Sequence, residues 1–163
     1  MLTVIGCGNT NRCDDAAGVL VAQHLQRRLA ANPIPAVRVF DAGTSGIDTM
    51  FQARGSTALI VVDANLSDSP PGTVFQVPGE ELENVHQGSF SLHDFRWDHA
   101  LYAGRKIFRK DFPEDVKVFL IEAQCVDLGL EVSAAVEAAI EKVVELIWQR
   151  LKAGACAAVG ADG

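Results

Sequence analysis

Short apolar runs alternate with helical patterns along this chain, and that alternation limits the folds the chain can adopt. The runs consist mainly of Val, Ile, Leu and Phe, and they have the length of buried strands. Because such strands carry few polar positions, both faces of the sheet they form must be covered. Five runs predict β-strands: residues 2–5, 37–40, 58–62, 73–77 and 116–121.

Amphipathic patterns with helical spacing separate these runs. One pattern follows residue 15, a second covers residues 48–53, and a third begins at His93. The fourth follows Ser133, which can cap this last helix. Strands that alternate with helices favour parallel pairing, since each helix returns the chain to the same end of the sheet. The predicted fold class is therefore α/β, with three α/β/α layers around a mostly parallel, twisted sheet of about five strands.

Length, charge and composition narrow the class of protein. The 163 residues predict one domain over residues 1–152, followed by a small, nearly uncharged tail at 153–163 that we expect to be disordered. A net charge of -7 disfavours nucleic acid and anionic membranes as partners. The chain has no signal-peptide pattern, no membrane-spanning apolar stretch and no CxxC pair. We expect a cytoplasmic protein with reduced thiols.

Carboxylates follow three of the predicted strands. Asp14 and Asp15 lie in the loop after the first strand, Asp41 follows the second, and Asp63 follows the third. Parallel strands bring these loops to one edge of the sheet, where ligands of α/β proteins bind. Clustered carboxylates repel one another unless a cation is present, so the pattern indicates a metal site. With one imidazole added, it suits nickel, zinc, iron or manganese.

A histidine is needed to complete such a site, and the chain has four. His24 lies among polar residues of the first helix, which indicates a surface position, and His86 lies in an irregular stretch at 79–91 that we expect to contact substrate. His93 and His99 are six residues apart, so they do not share a helix face. His93 is the better candidate ligand by position.

Each acid also has a purely structural explanation. Asp14 or Asp15 could cap the first helix, Asp41 could close an Asx-type turn, and Asp63 could simply end a strand. Only their joint placement at one edge of the sheet favours a functional site.

Several motifs, taken in order, give the chain a family resemblance between about residue 2 and residue 152. The motifs are Gly6-Cys7-Gly8-Asn9, Asp14-Asp15 with Gly18, Asp41-Ala-Gly-Thr-Ser-Gly46, Val-Val-Asp63-Ala64 and Ser91-Leu-His93. With these motifs the chain resembles the maturation endopeptidases of nickel-iron hydrogenases. Ala16 departs from the family pattern, as do Ile121-Glu122-Ala123 and the charged residues Asp94, Arg96 and Asp98. These departures bear on which hydrogenase is served.

The resemblance implies an aspartic-type endopeptidase that removes a C-terminal extension from the precursor of a hydrogenase large subunit after nickel insertion. It implies Asp15, Asp63 and His93 as metal ligands and Asp41 as a further acid of the catalytic group, able to carry a proton. Nickel, supplied by the substrate, would be the recognised ion, and zinc or another divalent ion could occupy the same site.

Two other functions remain open from the sequence. A Rossmann-like nucleotide-binding module would use Gly6 and Gly8 after the first strand and Asp41 after the second, although Asn11 stands where the third glycine is expected. A related metal-dependent peptidase with another substrate is the second alternative. A cysteine mechanism at Cys7 or Cys13 would lack a local base.

Overall fold

All five predicted strands pair in one sheet in the computed structural model, which describes residues 1–83 and 96–159. The strands are β1 Leu2–Cys7, β2 Val37–Gly43, β3 Ala58–Asn65, β4 Val74–Pro78 and β5 Asp115–Glu122. The helices are α1 Ala17–Ala31, α2 Gly46–Ala53, α3 Gly79–Glu83, α4 Trp97–Phe108 and α5 Ala134–Val159. The predicted α/β class is confirmed.

The order of the strands across the sheet is β2-β1-β3-β5-β4. The first four in this order are parallel, whereas β4 pairs with β5 in the antiparallel direction at the edge. Strand β2 pairs with one side of β1, and β3, the next strand in the chain, pairs with the other side. This reversal between β1 and β3 opens a crevice at the carboxyl ends of the two strands.

Two apolar clusters cover the sheet, one on each face. The first includes Val21 of α1 and Ile140 of α5, and the second includes Met50 of α2 and Leu101 of α4. The helices are therefore arranged in pairs on opposite faces, which gives the predicted three layers. None of the helices within residues 1–83 and 96–159 combines the length and the apolar character needed to cross a lipid bilayer.

Several boundaries differ from the sequence-based prediction. Strand β2 continues to Gly43, so Asp41 lies within it and not after it. Residues 79–83, predicted to be irregular, form α3, and the acidic residues Glu80 and Glu81 in its first turn favour a helix start. Strand β3 continues through Asp63 to Asn65, since β5 pairs with it along its whole length. Helix α5 continues to Val159, so part of the predicted disordered tail is helical. The end of the domain at residue 152 remains a prediction.

Candidate active site

The crevice between β1 and β3 contains a cavity of about 280 Å³. Asp15 and Asp63 both line it, so two of the predicted acids lie in one cavity. The other side chains and backbone groups that line it come from the ends of β1 and β2, from the start of α2 and from the start of α4. They are Cys7, Gly8, Gly43, Thr44, Ser45, Gly46, Thr49, Arg96 and Trp97.

Asp63 is the most enclosed acid of this cavity, with 3% of its surface exposed. Its Oδ1 accepts a hydrogen bond from the backbone N–H of Ala64 at 2.8 Å. Its Oδ2 accepts two more, from the indole Nε1 of Trp97 at 2.6 Å and from Nη2 of Arg96 at 3.1 Å. The carboxylate is therefore held in one orientation by donors from both β3 and α4.

The environment of Asp63 raises its pKa above the ordinary value of 3.8. Burial is the main cause, because the charged form loses its water shell. The hydrogen bond from Trp97, the positive charge of Arg96 and the N–H of Ala64 oppose this effect, and the nearby charge of Asp15 adds to it. Such a carboxylate binds a proton or a metal cation more readily than a solvated one.

Asp15 belongs to a short 3-10 turn, Cys13–Ala16, between β1 and α1. It is half-buried, and its position depends on Gly8. Gly8 has a φ of 133°, and a Cβ atom at this position would lie 1.9 Å from the backbone oxygen of Asp15. Only glycine allows the chain to pass so close to Asp15. Asp15 also lines a second cavity beside the first, together with Arg12 and Arg96.

Asp14 points away from this cavity and is fully buried. Its oxygens accept hydrogen bonds from the backbone N–H groups of Gln124, Cys125 and Ser133, and from the hydroxyl of Ser133, at 2.7 to 3.2 Å. Asp14 therefore joins the 3-10 turn to the loop before α5. Neither acid of the pair caps α1, whose first turn receives no side-chain hydrogen bond.

Asp41 lies outside the cavity that holds Asp15 and Asp63. Its side chain is exposed, and its Oδ1 accepts the N–H of Gly43 at 3.0 Å, as in an Asx-type turn. Its Oδ2 accepts the amide of Gln23 at 3.2 Å. The small cavity that Asp41 lines shares Gly8, Gly43 and Thr44 with the main one. Asp41 therefore lines a cavity that adjoins the one lined by Asp15 and Asp63.

The predicted ligand His93 lies outside the described residues, as does His86. His24 is on the surface, where its Nδ1 lies 3.0 Å from a carboxylate oxygen of Glu141 in α5. Nδ1 of His99 lies 3.6 Å from Oδ1 of Asp98. Within residues 1–83 and 96–159, no three His, Cys, Asp or Glu side chains are close enough to hold a metal ion. The two carboxylates of the cavity supply an incomplete oxygen donor set in this part of the chain.

The thiol of Cys7 also lines the main cavity. It lies 3.8 Å from the hydroxyl of Thr49 and is buried. Burial and the negative charge of Asp63 raise the pKa of Cys7 far above its ordinary value. The group is therefore a thiol at neutral pH, and its environment does not support a thiolate nucleophile.

Two residues next to Asp63 were not predicted as part of the site. Arg96 was noted only as a departure from the family pattern, and Trp97 was assigned to the apolar face of a helix. Trp97 does pack with the second apolar cluster, but its ring nitrogen reaches Asp63. One property of the sequence could have identified Trp97, since a buried tryptophan needs a partner for its ring N–H.

Comparison with known proteins agrees with this geometry. The model of the hydrogenase maturation protease family matches residues 19–150. The hydrogenase 2 maturation protease of Escherichia coli K12 is 26% identical over 152 residues, which cover 93% of this chain and 90% of that protein. The maturating endopeptidase HybD of E. coli has the same fold, with a TM-score of 0.76 and 24% identity over 94% of this chain and 93% of that one.

A second solved structure has a similar relation to this chain. It is the [NiFe] hydrogenase maturation protease HybD of Thermococcus kodakarensis, with a TM-score of 0.73 and 25% identity over 92% of this chain and 98% of that one. The family model covers most of the sequence and includes Asp63 on the β3 side of the crevice, while β1 and Asp15 precede the matched residues. This chain therefore belongs to the hydrogenase maturation protease family, and it is a peptidase.

Proposed function

We propose that this chain is a cytoplasmic endopeptidase that removes the C-terminal extension of a nickel-iron hydrogenase large-subunit precursor after nickel insertion. Membership of the hydrogenase maturation protease family supports the reaction and the class of substrate. The observation that carries the proposal is the shared cavity of Asp15 and Asp63 at the reversal point of the sheet. A hydrolytic site needs acids that can hold a cation or move a proton, and this cavity has two.

The nickel in this proposal belongs to the substrate. Asp15 and Asp63 offer carboxylate oxygens from two different loops, and we assign His93 as the third ligand. Carboxylates with one imidazole suit nickel, and zinc or another divalent ion fits the same donor set. By holding the ion of the precursor, these residues would align the bond to be cleaved next to the cavity.

The proposed reaction is hydrolysis of one peptide bond. A water molecule attacks the carbonyl carbon, the C–N bond breaks, and a proton moves from the water to the leaving nitrogen. The half-buried carboxylate of Asp15 can accept that proton from the water. We assign Asp41 as a further acid that exchanges protons with the main cavity from the adjoining one, where the two cavities share Gly8, Gly43 and Thr44.

A cleavage assay tests this function. The protein is incubated with the nickel-loaded precursor and with its nickel-free form, and the products are weighed by mass spectrometry. We expect loss of the C-terminal peptide from the loaded form alone. Asp15→Ala, Asp63→Ala and His93→Ala are each expected to abolish cleavage. His24→Ala is the matched control, because His24 pairs with Glu141 on the surface of α1 and α5.

Two results would contradict the proposal. One is equal cleavage of the loaded and nickel-free precursors, which would remove the role of nickel. The other is full activity of Asp63→Ala, which would remove the role of the cavity. If neither precursor were cleaved but the alanine variants of Asp15 and Asp63 bound nickel less well than the wild type, the chain would be a metal-dependent peptidase with another substrate.

The nucleotide-binding alternative finds little support in the geometry. Asn11 stands where the third glycine of a dinucleotide-binding loop is expected, and Gly43 and Gln23 already use one lone pair on each oxygen of Asp41. Asp15, half-buried beside Gly8, would also repel a pyrophosphate at the end of β1. Calorimetric titration with NAD and with nickel separates the two functions, and we expect heat of binding from nickel alone.

A further inference from the structure

Arg96 occupies the face of Asp63 that a metal ion would have to approach. Its Nη2 lies 3.1 Å from Oδ2 of Asp63, and the indole N–H of Trp97 reaches the same oxygen at 2.6 Å. A carboxylate oxygen has two lone pairs, so these two donors fill Oδ2. Oδ1 already accepts the N–H of Ala64 and keeps one lone pair. The positive charge of Arg96 repels any cation that approaches this remaining position.

The two donors to Oδ2 differ in their freedom to move. Trp97 is 7% exposed and packs with Ala100 and Leu101 in the second apolar cluster, so its ring is fixed. The side chain of Arg96 is 65% exposed and precedes the first turn of α4. Although Asp63 is buried, the guanidinium side of the pair is largely in water, so Arg96 regains hydration and side-chain freedom when it is released. Arg96 is therefore the partner that can leave.

We propose that Arg96 is an internal counter-cation for Asp63, which the divalent ion carried by the substrate must displace before it can bind. This inference rests on the proposed function and names a residue that determines specificity within it. The guanidinium satisfies the buried carboxylate while the site waits for substrate. It also sets a threshold, because only a ligand that offers a stronger positive charge at Asp63 replaces it.

A released Arg96 has a place to go. The second cavity, of about 350 Å³, lies beside the first and is lined by Arg96, Arg12, Asp15 and Asn65. The guanidinium can swing into this open space without crossing the apolar clusters. Displacement therefore requires the rotation of one exposed side chain and leaves α4 in place.

The test measures nickel affinity directly. Nickel chloride is titrated by calorimetry into the full chain at about pH 8, well above the ordinary pKa range of carboxylates, because the pKa of Asp63 is raised. We expect Arg96→Gln to bind nickel roughly tenfold more tightly than the wild type, because the competing charge is gone. Arg96→Lys keeps the charge and is expected to retain the weaker binding of the wild type.

The matched control is Arg54→Gln. Arg54 is also an arginine paired with an aspartate, Asp111, at 3.8 Å, but it follows α2 at the opposite end of the sheet. Its replacement is expected to leave nickel affinity unchanged. Arg96→Met, which is neutral and of similar length, repeats the test should Arg96→Gln fail to fold.

Trp97 gives a second readout that does not depend on activity. The chain has 2 tryptophans, so Trp148→Phe leaves Trp97 as the single fluorophore, hydrogen-bonded to Asp63. We expect nickel to change the emission of Trp97. The nickel concentration that gives half of this change should be roughly tenfold lower when Arg96→Gln is combined with Trp148→Phe than in Trp148→Phe alone.

Each outcome decides a different question. Equal nickel affinity of the wild type and Arg96→Gln would overturn the role of Arg96 and leave the proposed function standing. Absence of nickel binding to both proteins would overturn the role of Arg96 and the metal ligands together. Cleavage of the loaded precursor by the wild type would still support the peptidase in either case.

Discussion

Asp14 and Asp15 are neighbours in the chain, but their side chains have different surroundings. Asp14 is buried and accepts four hydrogen bonds, whereas Asp15 lines the cavity with Asp63. We therefore expect Asp14→Asn to lower the free energy of unfolding by roughly 3 kcal/mol, because an amide cannot accept all four bonds. Urea denaturation measures this change.

The same substitution at Asp15 is the control. Asp15→Asn should leave the unfolding free energy within about 1 kcal/mol of the wild type and should abolish cleavage of the precursor. A stable, active Asp14→Asn variant would show that these four bonds do not hold the turn.

Two buried carboxylates, Asp63 and Glu122, respond to pH in opposite directions. Burial raises the pKa of Asp63 above 3.8. The stability that its proton contributes is therefore complete below pH 3.8 and is lost as the pH rises through the folded-state pKa. We expect Asp63→Asn to gain stability relative to the wild type as the pH rises above about 4. Urea unfolding at several pH values measures the difference.

Glu122 at the end of β5 provides the opposite case. Burial raises its pKa, but the N–H and hydroxyl of Ser67 and the amide of Asn65 lower it more, to below 4.5. Its contribution is present above pH 4.5 and is lost as the pH falls through the folded-state pKa. Glu122→Gln should be less stable than the wild type at neutral pH, and the difference should shrink toward about pH 3. Parallel trends for both variants would contradict this assignment.

Close contact between β1 and α1 sets the position of the turn that carries Asp15. A Cβ atom at Gly18 would lie 2.2 Å from the backbone oxygen of Val62 and 2.3 Å from that of Cys7. A Cβ atom at Gly6 would lie 2.1 Å from the oxygen of Gly18. The start of α1 therefore rests directly on β1 and β3, and the turn before it is held at the crevice.

We expect Gly18→Ala to lower the free energy of unfolding by roughly 2 kcal/mol, although alanine favours helices, because the added methyl group has no space. Gly154→Ala in α5 is the matched control, since a Cβ atom there meets nothing within 4 Å. It should raise the free energy by up to about 1 kcal/mol. Thermal unfolding of both variants gives the comparison, and equal shifts would show that the contact at Gly18 is unimportant.

At the edge of the sheet, the strand itself was predictable but its direction was not. Residues 73–77 have the composition of a strand, and β4 forms at Val74–Pro78. It runs antiparallel to β5, since Gly72 and Thr73 exchange backbone hydrogen bonds with Glu122 and turn the chain back. Local composition contains no information on this pairing, which depends on a residue distant in the chain.

In the whole molecule, the burial of α5 bears on where the domain ends, which we predict to be at about residue 152. Leu151 of α5 is 1% exposed, whereas the residues at 152–154 are exposed. We expect a chain shortened after Gly154 to unfold within about 3 °C of the full chain. Leu151→Ala, by contrast, should cost roughly 3 kcal/mol. A large loss of thermal stability in the shortened chain would place the domain boundary later.

The sequence alone determined the elements and the acids that end the strands, because apolar periodicity and strand composition are local properties. It identified Asp15 and Asp63, since parallel strands must bring these positions to one edge. Only the tertiary structure decided that Asp14 turns into the protein, that Asp41 lines an adjoining cavity, and that Arg96 and Trp97 bind Asp63. These outcomes depend on side-chain direction and on contacts between residues more than 30 positions apart, such as Asp63 with Trp97.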